Sequence, residues 1–568
     1  MRGHGRPHLG FRPGSRVAGA AWAIQRFSGT KLEMTVMKMT RLVLVGLAVA
    51  GLAACEGGGV NLNVSTIDNS VDNSTNNSGG GTNPCASYSP PNSTEVRRGS
   101  FDGTNCVYDS TFVGSANPLL VDLNIPFISG KHIFQDSLFV GQNVSSGAAP
   151  AGGTGPKLTI AAGNTLVFQD AFDYLLINRG SQIFANGSPT APITFTSFTD
   201  AISGSAGAND VQQWGGIVIN GNGITNNCTD TERANNQCHV VTEGQPSNYG
   251  GNDNAESSGT LSYVIVKHTG FEVAPGDELN GITFNAVGSG TTVENIQVYS
   301  TYDDGLEFFG GAVNLKNVVV LYARDDSLDF SDGYVGTIEN ALAIHWQTDG
   351  NGCIELDNVG SGRTATGVPD TFPPLTIPTI RNLTCITSNW DGGTHGDSEG
   401  ANIRQGGHIV LEDSIFYAGY GNAVNAKTSN ECFDMAGTGT VDAAVAGSDF
   451  RVTDTVNACE ELLKVNSGTT FPNGDTAASW WLGANPSASG ANYSFNAGNF
   501  AIADSNNANV RVLNPGTFFT ASDIRDATGA VLRTGAGLGA VQANDDWTSP
   551  WAFGLRPSNA DVPLWFAP

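Results

Sequence analysis

The sequence predicts an all-β solenoid in which short strands stack in parallel from coil to coil. One pattern occurs three times between Val293 and Asn358: an apolar strand, an acidic turn, an alternating strand and a Gly- or Asn-rich corner. Asn295, Asn317 and Asn340 hold the same place in successive copies, 22 and 23 residues apart. A repeat of this length, built from strands without a helix, is typical of a solenoid that grows by adding coils.

Composition agrees with this fold and limits the partners. The 568 residues include 73 glycines but only 27 lysines and arginines, a mixture that suits many corners and few helices. The net charge of −26 argues against nucleic acid and anionic membrane surfaces, because both repel an acidic protein. Divalent cations, basic partners and neutral glycans remain compatible with it.

The amino terminus has the pattern of an export signal. Residues 1–36 show no apolar periodicity and are interpreted as a spurious upstream extension. Residues 37–54 form the predicted signal peptide, in which Lys38 and Arg41 precede an apolar run of 13 residues. This run is too short to span a bilayer, so we interpret it as a cleaved signal.

The end of this signal, Leu-Ala-Ala-Cys at 52–55, resembles the lipobox of bacterial lipoproteins. By that resemblance Cys55 is acylated and becomes the first residue of the mature protein. Glu56 follows, rather than the aspartate that retains lipoproteins at the inner membrane, so we expect a lipid anchor in the outer membrane of a Gram-negative bacterium, facing the periplasm or the cell surface. The alternative is an ordinary secretory signal with a chance cysteine. Residues 55–84 are polar and predict a flexible tether.

The other cysteines predict disulfides. Eight remain after Cys55, an even number in an exported protein. Eight cysteines allow about 105 connectivities, so nearest-neighbour pairing is one hypothesis among many. No CxxC occurs and no cluster of cysteines and histidines has zinc spacing, so no zinc site is expected. The nearest-neighbour pairs are Cys85–Cys106, Cys228–Cys238, Cys353–Cys385 and Cys432–Cys459.

The pattern of strands and corners divides the rest of the chain. Residues 85–156 are predicted to form an N-terminal cap, residues 157–425 the regular coils, and residues 426–568 irregular final coils with a C-terminal cap. A cap is needed because the first coil would otherwise expose an apolar end and unpaired strand edges. Within the last segment, VNACEELLKVN at 456–466 is a candidate short helix.

Several phrases resemble known sequences. They are WGGIVI, ELNGITFNAVGSGTTVENIQV, DDGLEFFGG, DDSLDFSDGY and the terminal NDDWTSPW. Through these phrases the chain resembles a group of bacterial lipoproteins and secreted proteins without an established activity. The likeness covers about residues 158–425 and the final segment. It implies the right-handed parallel β-helix of the pectate-lyase-like superfamily, but it brings no activity with it, because a fold does not determine a function.

The second strand of each copy predicts an acidic column. In GLEF, SLDF and CIEL the apolar residues point into the solenoid, so Glu307, Asp329 and Glu355 between them point outward. Thr283 takes the same place one coil earlier, and Asn402 one coil later. Stacked strands lie about 4.8 Å apart, so like charges in such a column raise each other's pKa unless a cation intervenes.

Three hypotheses address the acidic groups. Aspartates and asparagines at corners accept hydrogen bonds from turn backbone, and the repeated asparagines predict an internal ladder that includes Asn382. Carboxylates beside Gly-rich turns also offer the oxygen ligands that Ca²⁺ prefers, although no known calcium loop is present. The candidate metal ligands are Asp303, Asp304, Asp325, Asp326 and Asp349.

The third hypothesis is polysaccharide cleavage. Retaining glycosidases need two carboxyl groups about 5–5.5 Å apart, a spacing that adjacent coils supply easily. Inverting ones need about 6.5–9.5 Å, which the separation of two coils, roughly 9.6 Å, slightly exceeds. A lyase would instead need calcium and a basic residue. The catalytic candidates are Asp326, Asp329, His395 and Arg404. Exposed rings near strand ends can stack on sugars or can pack loops onto the solenoid. The ligand-binding candidates are Glu307, Asp329, Glu355, Trp346 and Trp390.

Other activities lack their motifs. The sequence holds no Gly-rich phosphate loop, no GxSxG elbow and no HExxH helix in the folded region, so no nucleotide, flavin, haem or zinc cofactor is expected. The leading hypothesis is a surface or periplasmic binding or adhesion module for glycans, with Ca²⁺ along the acidic face. The alternative is a glycoside hydrolase or polysaccharide lyase on the same face, and a third possibility is a passive surface-layer component.

Overall fold

The computed structural model describes most of the chain that follows the predicted tether. The signal peptide, Cys55 and nearly all of the tether lie outside the described residues. These residues belong to the second of two compact units, Gly81–Pro568. They are residues 83–564, without 245–246, 275–276, 389, 391, 421–430, 448, 460, 462, 466–498, 502–511, 515, 526–527 and 563.

Strands stack in parallel along the described chain, which confirms the predicted β-helix. The first sheet, here called sheet 1, contains ten short strands within the described residues. Each pairs in parallel with the strand of the next coil. They are Leu138–Val140, Leu175–Ile177, Ile217–Asn220, Ile282–Asn285, Leu306–Phe309, Leu328–Ser331, Gly352–Asp357, Glu399–Arg404, Phe433–Met435 and Lys464–Val465.

The second sheet, sheet 2, supplies the other sides of the solenoid. In early coils two short strands follow each other, and in later coils one long strand pairs with both of them. Among the described residues it contains eighteen strands. They are Ser100–Phe101, Cys106–Tyr108, Leu123–Ile125, His132–Phe134, Lys157–Ile160, Thr165–Phe168, Gln182–Asn186, Ile193–Ser197, Gly259–Thr269, Thr292–Thr301, Asn314–Ala323, Thr337–Ile344, Thr379–Ser388, Val410–Glu412, Ile415–Tyr420, Arg451–Thr453, Val456–Ala458 and Phe500–Ala501.

The repeated asparagines turn the corner inside these long strands. Asn295, Asn317 and Asn340 adopt left-handed backbone angles, with φ of 52°, 58° and 59°. Asparagine tolerates this region better than most residues. Asn317 donates to Asn295 Oδ1 and Asn340 donates to Asn317 Oδ1, each at 2.9 Å, which confirms a ladder over three coils. Asn382 has the same backbone but donates instead to the carbonyl oxygen of Gly537 at 2.9 Å.

The interior is filled by the alternate residues of sheet 1. Leu306, Leu328 and Ile354 are almost fully buried, as the alternation predicted. Phe308 stacks between Phe284 and Phe330, at centroid distances of 5.2 and 4.9 Å. These stacked side chains leave the residues between them on the outer face of the sheet.

All four nearest-neighbour disulfides are present, so the predicted pairing is confirmed. Their Cα–Cα distances run from 5.4 to 6.0 Å. Parallel pairing extends beyond the interval 157–425, from Cys106–Tyr108 with His132–Phe134 at one end to Phe433–Met435 with Lys464–Val465 at the other. The predicted short helix is wrong, because Val456–Ala458 is a strand that pairs in parallel with residues 415–417.

The C-terminal segment, here residues 512–564, lies along the side of sheet 2 and runs back over earlier coils. Ala540 N donates to Thr384 Oγ1 at 2.8 Å, and Phe553 exchanges two 2.7 Å hydrogen bonds with the side chain of Gln297. Asp561 reaches the ammonium group of Lys267 at 3.5 Å. The segment covers an outward apolar cluster that includes residues 319, 321, 342 and 344.

The remaining elements are short. No helix among the described residues is long and apolar enough to cross a membrane. A π-helix spans Thr199–Ser203, and α-helices span Asp230–Ala234, Ser361–Ala365 and Thr438–Ala446. Small antiparallel hairpins pair Ser87–Tyr88 with Arg97–Arg98, Val240–Val241 with Asn248–Tyr249, Glu272–Ala274 with Asp277–Glu278, Leu513–Asn514 with Thr517–Ala521, and Ile524–Arg525 with Val531–Arg533.

Candidate functional site

One row of outward-facing side chains follows sheet 1 through all ten described strands. Its register places Asp329 beside both Glu307 and Glu355, as the alternation predicted. Three apolar side chains and a threonine precede these carboxylates. The full row is Phe139, Leu176, Val218, Thr283, Glu307, Asp329, Glu355, Asn402, Asp434 and Lys464.

Turns and inserted loops close around the middle of this row. The turns before two successive strands bring in Asp303, Asp304, Asp325 and Asp326, and two loops add Glu243 and Glu278. Together they line a solvent-open cavity of about 300 Å³, here called the acidic basin. The residues that line it are Glu243, Glu278, Asp303, Asp304, Glu307, Asp325, Asp326, Asp329, Asn351, Glu355 and Arg404.

Backbone hydrogen bonds hold the aspartates of the turns in place. Asp326 N donates to Asp304 Oδ1 at 3.0 Å, and Gly352 N donates to Asp326 Oδ1 at 2.7 Å. A side chain at position 352 has no room, because its Cβ would lie 2.4 Å from that oxygen. Each carboxylate therefore uses one oxygen to hold the turn of the next coil, as the structural hypothesis predicted. Its second oxygen can still bind a ligand, so the two roles are compatible.

Burial dominates the electrostatics of the basin. It raises the pKa of Asp304 well above the usual range, and the charges of Asp303 and Asp329 raise it further. Burial also raises the pKa of Glu307, which is 6% exposed, with Glu243 and Asp329 adding to the effect. The same cause raises the pKa of Asp303, Asp326 and Asp329 well above the usual range.

Two carboxyl groups titrate near neutrality. Burial raises the pKa of Glu243 to about 7, and the charges of Asp277 and Glu278 add to that effect. Burial raises the pKa of Glu355 to about 7 as well, although the guanidinium of Arg404 opposes the shift. At neutral pH the basin therefore holds protons, unless a cation replaces them.

The oxygens of the basin are close enough to share cations. Atoms of Asp304, Asp325 and Asp326 lie within 4.8 Å of one another, and so do atoms of Asp304, Glu307 and Asp329. Two oxygens bound to one Ca²⁺ at about 2.3–2.6 Å can be at most about 5 Å apart. Asp304 belongs to both groups, so these donors fit calcium in type and in separation.

The nearby cationic side chains are already engaged. Arg404 forms ion pairs with Glu355 and, at 2.9 Å, with Asp357. Burial lowers its pKa, but these two carboxylates outweigh burial and raise it further above the usual range. His395 Nδ1 lies 3.1 Å from Asp325. Burial lowers the pKa of His395, and the hydrogen bond and charge of Asp325 more than reverse that shift.

Besides His395, which contacts the basin through Asp325, three predicted residues lie outside its lining. Asp349 pairs with Arg324 at 3.4 Å and accepts a hydrogen bond from Thr394 N at 2.6 Å, so it closes a loop. Trp346 packs on the outward cluster of sheet 2, with its ring 4.9 Å from that of Tyr322. Trp390 is half-buried, and its carbonyl accepts from Ser398 N at 3.3 Å. The three residues are near the acidic column in sequence, but their loops carry them elsewhere.

Glu243 and Glu278 were not among the predicted site residues. Both come from insertions between coils, where the repeat offers no register for placing a side chain. Gly244 N donates to Asp277 Oδ1 at 2.6 Å, which joins the two loops above the basin. The one sequence signal available was the acidic composition of these insertions beside a column of like charge.

A family model described as a pectate-lyase like beta helix domain matches residues 151–485. The chain belongs to this family. No curated protein and no solved structure matches it. Membership in the pectate-lyase-like family indicates a carbohydrate-related function, and it does not distinguish binding from cleavage.

Proposed function

We propose that the protein is a glycan-binding module that holds Ca²⁺ in the acidic basin. The observation that carries the proposal is that nine carboxylates line one cavity, where, among the residues that the structure describes, Arg404 is the single cationic side chain of the lining. Buried carboxylates in such numbers either keep protons or gather a cation. An exported protein meets divalent cations at the bacterial surface, so calcium is the natural counterion.

Calcium also explains how such a negative basin can accept a sugar. Ca²⁺ takes about six to eight oxygen ligands, which the triplets around Asp304 supply only in part. Hydroxyl or carboxylate oxygens of a glycan complete the coordination. The basin therefore binds sugar through the metal and through its outer carboxylates, while its net charge repels nucleic acid.

The pairing of Arg404 favours binding over eliminative cleavage. A lyase needs a neutral base to remove a proton, and Arg404 keeps its proton more firmly because of Glu355 and Asp357. His395, the other candidate, is held at Asp325 and has a raised pKa. In the described part of the chain, neither candidate is therefore a ready base.

Hydrolysis is the second candidate function, and the pKa values near neutrality favour it. Glu243 and Glu355, each with a pKa of about 7, could donate a proton to a leaving group at neutral pH. A carboxylate neighbour could then act as nucleophile or base. This function requires single substitutions at Glu243 or Glu355 to abolish turnover while the protein still binds glycan.

The experiment is a polysaccharide panel with the purified full chain, with calcium or with chelator. Binding, new reducing ends and unsaturated-product absorbance are recorded together. We expect calcium-dependent binding to at least one polysaccharide without product release. Reducing ends establish the hydrolase, unsaturated products establish a lyase, and no binding in either condition contradicts the proposal.

A basin variant tests where the glycan binds. Glu307→Gln with Asp329→Asn removes two adjacent charges and keeps the shapes of both side chains. We expect calcium and glycan binding to weaken together, by tenfold or more. Glu294→Gln, on the outer face of sheet 2, serves as the matched control and should bind normally. Normal binding by the basin variant would move the site elsewhere.

The proposal includes a lipid anchor at Cys55. Acylation there would hold the module at the outer membrane through residues 55–84. We expect the parent chain to fractionate with outer membranes in a Gram-negative host and to incorporate labelled fatty acid. Cys55→Ser should do neither. A soluble parent chain without label would show that the signal is an ordinary secretory one.

A further inference from the structure

Two phenylalanines in contact, one exposed and one half-buried, lie next to the acidic basin. Phe172 is 69% exposed, and its ring lies 4.5 Å from that of Phe271, at an interplanar angle of 55°. Val241 and Val273, on the two hairpins next to the basin, are 68% and 43% exposed. Apolar side chains on three segments thus face solvent next to the basin.

A buried apolar cluster supports the pair from below. Tyr174, two residues after Phe172, packs with Leu176, Val218 and Leu279. Leu279 N donates to the carbonyl of Phe271 at 3.0 Å, which fixes the loop that carries this ring. The buried cluster and this hydrogen bond therefore hold the two phenylalanines in place.

The pair adjoins the basin through the stacking of coils. Phe172 precedes the sheet 1 strand Leu175–Ile177, and Phe271 precedes the strand Ile282–Asn285. Asp303 and Asp325 precede the next two strands of the same sheet. Gly270 packs against the next turn, where an added Cβ would lie 2.4 Å from Tyr302 N. In the outward row, Val218 is two strands from Glu307, about 10 Å. Apolar and acidic surfaces are thus consecutive parts of one face.

We propose that Phe172 and Phe271 form a stacking subsite for a sugar ring of a polysaccharide whose neighbouring units reach the basin. This subsite rests on the proposed function. A sugar ring presents a face of C–H groups and a rim of hydroxyls, which match exposed aromatic rings and an oxygen-rich basin in turn. The basin would repel an anionic lipid surface, so the adjacent charge favours a glycan over a membrane.

The test compares Phe172→Ala, Phe271→Ala and the double variant with the parent chain. Phe127→Ala is the matched control, because Phe127 is 61% exposed and lies against Gly163, in another part of the solenoid. The measurements are affinity for a polysaccharide that the parent binds, and calcium affinity by calorimetry. We expect the double variant to bind glycan roughly tenfold more weakly, with unchanged calcium affinity.

Each outcome separates the subsite from the proposed function. Parent-like glycan affinity in the double variant overturns the subsite, whereas the proposed function stands if Glu307→Gln with Asp329→Asn still loses binding. Absence of any glycan binding by the parent overturns both. If the phenylalanine substitutions alter only binding to phosphatidylcholine vesicles or self-association, the surface serves a membrane or a second copy, and the glycan subsite is wrong.

Discussion

At the scale of single residues, the aspartates of the turns combine two tasks. Asp304 and Asp326 each use one carboxylate oxygen to accept a hydrogen bond from a backbone amide of the following coil. Asp304 also contributes to two groups of closely spaced oxygens. An aspartate that accepts a hydrogen bond from the next turn therefore also has its carboxylate close to the carboxylate of that turn. Because the coils stack, several such carboxylates collect in one place.

The basin variant should be more stable than the parent when calcium is absent. Glu307→Gln with Asp329→Asn makes permanently neutral two side chains that the calcium-free parent keeps neutral only by holding protons. Above neutral pH, where those protons are lost, the melting temperature in chelator should therefore rise by roughly 1–4 °C. With calcium the order should reverse, because the parent gains stability from the bound ion. Scanning calorimetry measures both. A variant that is less stable in chelator would show that these charges are not in conflict.

The stability of the calcium-free protein should fall as pH rises. Glu243 and Glu355 have pKa values of about 7 in the folded protein, above the value of 4.5 expected for a free glutamate. The folded state therefore holds more protons than the unfolded state between about pH 4.5 and 7, and its stability decreases across that window. The contribution of the protonated Glu243 and Glu355 to folding stability is fully present below about pH 4.5 and lost above about pH 7.

Calcium should remove this dependence, because it takes the place of the protons. The measurement is the denaturant midpoint against pH, in chelator and in calcium. Calorimetry in buffers of different ionisation enthalpy should also show protons released when calcium binds. A flat profile in chelator would mean that Glu243 and Glu355 are ionised at neutral pH.

At the scale of elements, the asparagine ladder lets one strand serve two faces of the solenoid. Asn317 combines a left-handed backbone with a hydrogen bond to each adjacent coil. Strand pairing continues in register on both sides of this residue. The ladder therefore fixes the corner at the same height in three successive coils.

Two substitutions at Asn317 separate strain from hydrogen bonding. Asn317→Gly keeps an easy left-handed backbone and should lose about 1–3 kcal/mol of unfolding free energy with the two hydrogen bonds. Asn317→Ala should lose about 1 kcal/mol more, because its Cβ opposes that backbone. Denaturant midpoints measure both variants. If both variants lose the same unfolding free energy, the left-handed backbone angle costs nothing here. If neither variant loses any, the asparagine ladder does not contribute to stability.

At the scale of the whole molecule, the C-terminal segment covers one side of the solenoid. Runs such as VVVLYA at 318–323 are apolar on both faces of the strand. One face fills the interior, and the other lies under Trp551 and neighbouring residues of the segment. A continuous apolar run is typical of a strand buried on both sides.

Deletion of residues 502–568 should expose this outer face. Side chains such as Leu321 and Ile344, buried in the full chain, would meet water. We expect the truncated protein to bind an apolar dye and to associate with itself, as measured by fluorescence and sedimentation. Glu294→Ala, on the outer face of sheet 2, should change neither. A monomeric truncation without dye binding would show that the segment is dispensable.

Much of the site followed from local rules. Glu307, Asp329 and Glu355 could be placed outside the sheet because side chains alternate and the copies align. The aspartates of the turns followed from the same alignment. Trp346 could not be placed, because it lies where the chain leaves the strand and the period-two rule ends.

The fold class, the coil register and the ladder over three coils were determined by the sequence alone, because each depends on a repeat that brings equal positions together. The disulfide pairing was one hypothesis among many until the structure placed the cysteines. Tertiary structure decided the rest. Glu243 and Glu278 enter the basin from insertions with no partner in the repeat, and the C-terminal segment packs on coils far from it in sequence. The inserted loops bury the carboxyl groups of the basin, and this burial raises their pKa values. The chemistry of the basin therefore depends on tertiary contacts that no local sequence pattern encodes.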